Sequence, residues 1–222
     1  SVGNLVSENN KEKTLSVFEE LFSVRFFIAS VVCFCIIRLS SPFVSLWIGS
    51  DYVLSQSTVV LRTAGIFISI TRITVDDYIN AKWLFKDRGA PSTEAIINIF
   101  TSVLMGHDFW VKGILCVGMI SQVLIVLIWQ PYFLFSSGLK EPLKIYVLMY
   151  FKHTVALVIC YFLGSVIIDN ITLAPSESFH NWILCGIVYA LIFGVILLIL
   201  QYSLSKGMRS FVFRMRKIII RK

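Results

Sequence analysis

Long apolar runs alternate with short polar segments along most of the chain. A bilayer core about 30 Å thick needs roughly 20 consecutive apolar residues per helix. Six runs meet or approach that length, at about residues 26–48, 56–82, 92–105, 113–135, 145–168 and 181–202. The pattern predicts an all-α, polytopic membrane bundle of about six transmembrane helices.

The third of these runs is short. It is followed by a polar break at Gly106, His107 and Asp108, and Glu94, Asn98, Thr101 and Met105 repeat at helical spacing along one side. This spacing predicts a helix that is shielded from lipid on one face.

Composition agrees with a membrane protein, because 57% of the 222 residues are hydrophobic and only 15% are charged. Soluble domains carry about 25% charged residues. The net charge of +7 does not indicate nucleic-acid binding, since the basic residues lie between the apolar runs and not along one face of a soluble fold.

Lys and Arg predict the orientation of the spans, because they are enriched in short cytoplasmic loops. With the amino end inside, fifteen basic residues fall in inside segments and only Lys112 falls outside. Omitting the third span would reverse every later loop. We therefore expect six spans, with both ends of this chain cytoplasmic.

Four segments follow from this count. Residues 1–25 are expected to hold the cytoplasmic end of a preceding helix and an amphipathic connector, residues 26–135 four transmembrane helices, residues 136–203 two more, and residues 204–222 a basic cytoplasmic tail. The tail sequence SFVFRMRKIIIRK mixes basic and apolar residues, a composition that favours binding to anionic lipid headgroups.

The second span contains polar and charged residues in an otherwise apolar stretch, LRTAGIFISITRITVDDYIN. At 100° per residue, seven polar or small residues of this span fall within an arc of about 80°. They are Thr58, Arg62, Gly65, Ser69, Arg72, Asp76 and Asn80. A charge at the bilayer centre costs at least about 2.5–3.5 kcal/mol, so such residues usually face a bundle interior or a water-filled path.

This polar stripe is the candidate substrate-binding site, with Arg62, Arg72, Ser69, Asp76 and Asn80 as its members. The rigid guanidinium fork matches phosphate oxygens and stays protonated. Arg38, in the first span before Pro42, is a further candidate, because broken helices line transporter sites.

A structural alternative stays open for each candidate. Arg62 and Arg72 can extend to opposite membrane interfaces, and Arg72 can pair with Asp76 one turn later. Asp77 falls outside the arc, where it can cap the cytoplasmic end of the helix. Lys152 lies near the inner edge of the fifth span, and His153 alone indicates little.

No catalytic, nucleotide-binding or metal-binding motif occurs in the chain, so we predict neither an enzyme nor a cofactor. The five cysteines lie inside apolar runs without the C-x-x-C spacing of a zinc or redox site and are interpreted as packing residues.

Several segments together resemble the polysaccharide-export flippases of the Wzx type, in the multidrug/oligosaccharidyl-lipid/polysaccharide exporter superfamily. The segments are SVGNLVSENNKEK, PFVSLWIGSDYVLS, EAIINIFTSVLMG, KGILCVGMIS and WQPYFLF. They extend over residues 1 to about 135. The last two spans resemble the family only in being apolar transmembrane segments.

The resemblance implies one lobe of a two-lobed flippase with a central cationic cavity. Its substrate would be an undecaprenyl-diphosphate-linked oligosaccharide for surface polysaccharide such as O-antigen or capsule. This chain would be the carboxy-terminal half, and an amino-terminal lobe of the same protein would complete the cavity. The alternatives are a multidrug/cation antiporter of the same superfamily and a polytopic oligosaccharide polymerase or glycosyltransferase.

Overall fold

The computed structural model describes residues 10–82 and 118–220, and every regular element in these ranges is helical. The helices are α1 (Lys11–Trp47), α2 (Gln56–Ala81), α3 (Gly118–Leu139), α4 (Leu143–Asp169), α5 (Phe179–Leu204) and α6 (Lys206–Ile220). A short 3₁₀ turn, Ser50–Tyr52, joins α1 to α2.

Within the described residues, α1 to α5 are each long and apolar enough to cross a membrane. The predicted all-α membrane bundle is therefore confirmed at this level. The span predicted at residues 92–105 lies outside the described residues.

The helix that contains the first predicted span begins well before that span, at Lys11 and not near residue 26. The Asn10 side chain caps the helix by accepting a hydrogen bond from the Lys13 backbone N–H at 3.1 Å. Phe18, Phe22 and Phe26 follow at four-residue spacing and are fully buried. Packing of this aromatic face keeps the charged amino-terminal part helical, so the predicted boundary at residue 25 falls inside α1.

Helix α1 is the centre of the fold, since it packs against every other described helix. The part that begins with Phe18 belongs to an aromatic cluster with α2, α3 and α4, which includes Tyr78, Phe135 and Tyr146. The part that contains Phe34 belongs to a second cluster with α4 and α5. The long helix α1 therefore contributes residues to both hydrophobic clusters of the bundle.

Helices α2 and α3 run parallel to each other. Near one end of the pair, a Cβ on Gly65 would lie 3.3 Å from the Gln122 side-chain oxygen. At the other end, the Lys82 ammonium donates a hydrogen bond to the Gly138 carbonyl at 2.7 Å.

This parallel arrangement fixes where the ends of α2 and α3 lie. The carboxyl end of α2 and the amino end of α3 are at opposite ends of the bundle. A six-span count requires that placement, whereas a count without a span between them would put those two ends together.

The amino-terminal part of α1 and the whole of α6 meet at one end of the bundle, where Ser23 contacts Ser205 and Glu20 pairs with Arg214. We call this the basic end. Its lysines and arginines among the described residues are Lys11, Lys13, Arg25, Lys82, Lys140, Lys144, Lys152, Lys206, Arg209, Arg214, Arg216 and Lys217. The opposite end carries Asp51, Asp169 and Glu177 with Arg38.

Helix α3 is wound more widely than an α-helix on both sides of Pro131. Residues Val123–Trp129 and Leu134–Leu139 are π-helical. Proline lacks a backbone N–H, and its ring clashes with the carbonyl four residues earlier. A shift to wider turns around Pro131 accommodates both effects.

Large apolar side chains cover the outer surfaces of α4 and α5. Phe151, Phe162 and Val166 are each more than 60% exposed on α4, as is Leu191 on α5. A soluble protein rarely exposes so continuous an apolar surface, so these faces suit contact with lipid chains.

Candidate functional site

The face of α2 that packs into the described bundle is lined by threonines and apolar residues, not by the polar stripe. Thr63, Thr71 and Thr74 are at most 2% exposed, next to Ile68 and Val75. Thr63 and Thr71 donate to the carbonyls of Val59 and Phe67 in their own helix, at 2.7 and 3.0 Å. The sequence does not reveal this face, because threonine is polar but occurs at both buried and exposed positions of a helix.

The stripe predicted on α2 lies on the other side of the helix. Arg62, Ser69 and Asn80 are exposed, and Arg72 and Asp76 are half-buried. This face is therefore not covered by the described helices at Arg62, Ser69 and Asn80. Its near edge borders α3, through the close approach of Gly65 to Gln122.

Arg72 and Asp76 form an ion pair, with Arg72 Nε 2.9 Å from Asp76 Oδ2. This is the pair that the structural alternative predicts. It neutralises one of the two arginines proposed to hold phosphate, because the carboxylate occupies part of the guanidinium fork.

Arg62 differs from the other arginines of the membrane-spanning helices. Within residues 10–82 and 118–220 it forms no ion pair and no side-chain hydrogen bond. Its charge is available to a ligand or to another part of the protein.

Arg38, the candidate in α1, pairs with Asp169 at the carboxyl end of α4. The sequence places Arg38 deep in the first span. The contact puts it instead near the end of the bundle opposite the basic end. Helix α1 continues through Pro42 to Trp47, so Arg38 does not precede a break in the helix.

A further ion pair joins α1 to α2 near the basic end. Arg25 donates to Asp77 at 2.6 Å and to the Thr74 hydroxyl at 3.1 Å. The sequence places Arg25 in a connector before the first span and allows Asp77 to cap α2, whereas in the structure the two side chains pair with each other. Nothing local to either residue indicates their pairing, since 52 residues separate them.

The Lys82 contact with Gly138 closes the same end of α2 against α3. Burial lowers the pKa of the Lys82 ammonium, and the neighbouring charges of Lys11 and Lys140 lower that pKa further. This cluster of three lysines is part of the basic end.

A buried polar network connects three helices beside the aromatic cluster. His153 on α4 lies with its Nε2 2.9 Å from the Ser23 hydroxyl on α1. The Ser23 hydroxyl lies 3.0 Å from that of Ser205, between α5 and α6. His153 is only 1% exposed. Sequence reasoning treated His153 as uninformative, because a single histidine carries no spacing signal.

Helix α6 is docked on α1. Arg214 pairs with Glu20, a residue that is 4% exposed. The Met208 backbone N–H donates to the Ser205 hydroxyl at 3.3 Å, which caps the first turn of α6. The exposed side of α6 still carries both Arg216 and Phe213, the mixture that the sequence predicts for contact with anionic lipid.

The described cysteines pack in the interior and form no disulfide. Cys33, Cys160 and Cys185 are buried, and Cys35 is half-buried. No group of three His, Cys, Asp or Glu side chains in residues 10–82 and 118–220 is arranged to hold a metal ion.

No known protein family, no characterised protein and no solved structure matches this chain significantly. The fold alone defines the class, a multi-pass helical membrane protein.

Proposed function

We propose that this chain is one lobe of a transporter that moves an anionic lipid-linked oligosaccharide across a bacterial inner membrane. The observation that carries the proposal is the polar face of α2 that the other described helices leave uncovered, where Arg62, Ser69 and Asn80 are exposed on a helix long and apolar enough to span a membrane. Such residues are not stable against hydrocarbon. They need a wet cavity or another polypeptide segment beside them.

A second lobe around a central cavity would meet this need. The polar face of α2 would then line one side of the cavity, and Arg62 would be the principal phosphate-binding residue. Arg72 would contribute only if substrate replaced Asp76 as its partner, because the two side chains are 2.9 Å apart. Arg38 is the weakest member of the proposed site, since Asp169 neutralises it.

The charge distribution supports a cytoplasmic basic end. Most basic residues of the described helices gather at one end and most of the acidic loop residues at the other. Because Lys and Arg are retained on the cytoplasmic side, substrate would enter from the basic end and leave from the opposite end.

The related antiporter function is less well supported. It needs an acidic residue that is able to bind a cation, and Asp76, the acidic member of the stripe, is paired with Arg72. An enzyme that builds the oligosaccharide would need a loop with catalytic side chains, and the loop at residues 170–178 contains one acidic residue, Glu177.

The proposal is tested by replacing Arg62→Gln in the full-length protein and expressing the variant in cells that lack the native copy. We expect surface polysaccharide to fall at least about tenfold, since loss of one charge-assisted phosphate contact costs about 1.5–3 kcal/mol. Lipid-linked oligosaccharide should accumulate in the inner leaflet. The fraction that stays protected from a glycosidase added to the outer side measures this accumulation.

Arg209→Gln is the matched control, because Arg209 is an exposed arginine on α6 away from the stripe. It should leave export unchanged. Both variants should insert into the membrane at the native level. Normal export by the Arg62→Gln variant would refute the proposed role of the stripe.

A further inference from the structure

A small cleft lies at the basic end, between α4 and the junction of α5 with α6. Its volume is about 180 Å³. This is smaller than the roughly 300–1,000 Å³ of sites that enclose a drug-sized ligand. The cleft therefore has room for a headgroup, not for a large molecule.

Positive charge exceeds negative charge in the cleft. Lys152 from α4 and Lys206 from α6 both line it, with Glu19 from α1 as the acidic residue. In the described part of the chain neither lysine is joined to Glu19 by an ion pair. Two ammonium groups with one carboxylate leave an excess of one positive charge, and the amino end of α6 adds a favourable dipole for an anion.

The polar wall of the cleft includes an unused hydrogen-bonding group. His153 is 1% exposed, and its Nε2 lies 2.9 Å from the Ser23 hydroxyl. Its other ring nitrogen, Nδ1, is buried without a partner. Ser205 lines the cleft as well. His153 and Ser205 together make this side of the cleft polar.

The remaining walls are apolar. Ile145, Leu148 and Leu204 line the cleft beside the charged groups. Helix α5 ends at Leu204 and the basic helix α6 begins at Lys206, so the cleft lies at the end of a helix that is long and apolar enough to cross a membrane. An occupant there has one charged end and one hydrocarbon end.

We propose that this cleft binds the phosphate headgroup of an anionic phospholipid. Lys152 and Lys206 would hold the phosphate, His153 and Ser205 would lie on its inner side, and Leu148 and Leu204 would contact the start of the acyl chains. Basic pockets at the cytoplasmic ends of membrane helices suit anionic headgroups in this way. The site does not depend on the transport proposal, since it shares no residue with the stripe on α2.

The experiment titrates the purified full-length protein in detergent with phosphatidylglycerol and, separately, with phosphatidylcholine, and counts bound lipid by native mass spectrometry. We expect one phosphatidylglycerol molecule to bind preferentially. Lys152→Gln and Lys206→Gln should each weaken that binding about fivefold, the effect of removing one lysine near an anionic lipid.

Two further variants separate this site from general surface charge. Lys144→Gln removes an exposed lysine at the same end but outside the cleft and should leave binding unchanged. Glu19→Gln removes the acidic residue and should tighten binding. An increase is not expected from damage to the fold, and thermal unfolding of each variant checks that the fold is intact.

Equal binding of the two lipids would overturn the proposal, as would an equal loss for Lys144→Gln. Inorganic phosphate and glycerol phosphate serve as competitors. Displacement of the lipid by either of them at the same concentration would show a soluble-anion site and would also overturn the proposal.

Discussion

Gly207 is the residue at which α6 comes closest to α1. A Cβ at this position would lie 2.2 Å from the Glu19 carbonyl oxygen and 2.5 Å from the Ser23 hydroxyl. The first of these neighbours is backbone and cannot move aside as a flexible side chain does. Only glycine therefore allows α6 to dock at this distance.

We expect Gly207→Ala to destabilise the docking of α6 by about 1–3 kcal/mol, the usual cost of overpacking. Thermal unfolding in detergent and protease cleavage of the α6 segment measure the effect. Gly194→Ala is the matched control in α5, where the nearest atom to a new Cβ is 3.8 Å away. The control should be neutral or stabilising, because alanine favours helix over glycine by about 1 kcal/mol. Equal stability of the two variants would contradict the close contact at Gly207.

At the scale of whole elements, arginine–carboxylate pairs tie the membrane helices together. Arg25 connects α1 to α2, and Arg38 connects α1 to α4. Both arginines are more than two-thirds buried, at 24% and 28% exposure. Their carboxylate partners are more exposed, at 39% for Asp77 and 60% for Asp169, so water shares in stabilising these charges. We expect measurable coupling between Arg25 and Asp77, the pair with the less exposed carboxylate.

A double-mutant cycle of Arg25→Gln and Asp77→Asn tests this at the α1–α2 contact. We expect a coupling energy of about 0.5–3 kcal/mol, as for residues in direct contact. Denaturant unfolding of the four proteins measures it. Arg25→Gln combined with Asp169→Asn is the control, since Asp169 pairs with a different arginine. The effects of these two substitutions on the free energy of unfolding should add to within about 0.5 kcal/mol.

The helices themselves could be predicted from the sequence, and their contacts could not. Apolar runs located α2, α4 and α5 to within about two residues of their ends. The start of α1 was missed because Glu19, Glu20 and Arg25 interrupt the hydropathy signal there. The aromatic residues at four-residue spacing from Phe18 carried the information that would have found it.

The candidate site could likewise be predicted only in part. Periodicity alone groups Arg62, Ser69 and Asn80 on one face of α2, because it depends only on the helical repeat. Pairing of Arg38 with Asp169 depends on residues 131 positions apart. Such contacts are set by tertiary packing, so no local pattern in the sequence contains them.

For the whole molecule, the parallel run of α2 and α3 is the feature that most constrains topology. Their contacts at Gly65 with Gln122 and at Lys82 with Gly138 fix the direction of both helices. The two ends of the described chain lie together at the basic end.

Single cysteines in a variant without the native cysteines test this arrangement with a membrane-impermeant maleimide. Lys82→Cys and Lys140→Cys should react from the same side of the membrane. Ser50→Cys and Glu177→Cys should react only from the opposite side.

Gly118→Cys is the decisive position, because it lies at the amino end of α3. Gly118→Cys should react with the maleimide from the same side of the membrane as Ser50→Cys and Glu177→Cys. Reaction from the side of Lys82→Cys would contradict the parallel run of α2 and α3.

The central position of α1 also has a consequence for how the protein is made. Helix α1 leaves the ribosome first among the described helices, whereas the partner of Arg38 lies 131 residues later in the chain. At a synthesis rate of about 5–20 residues per second, Arg38 waits about 7–26 seconds for Asp169, which lies 131 residues later. During that interval the Arg38 charge lacks its carboxylate partner, so water at the edge of the bilayer has to solvate it until α4 is made.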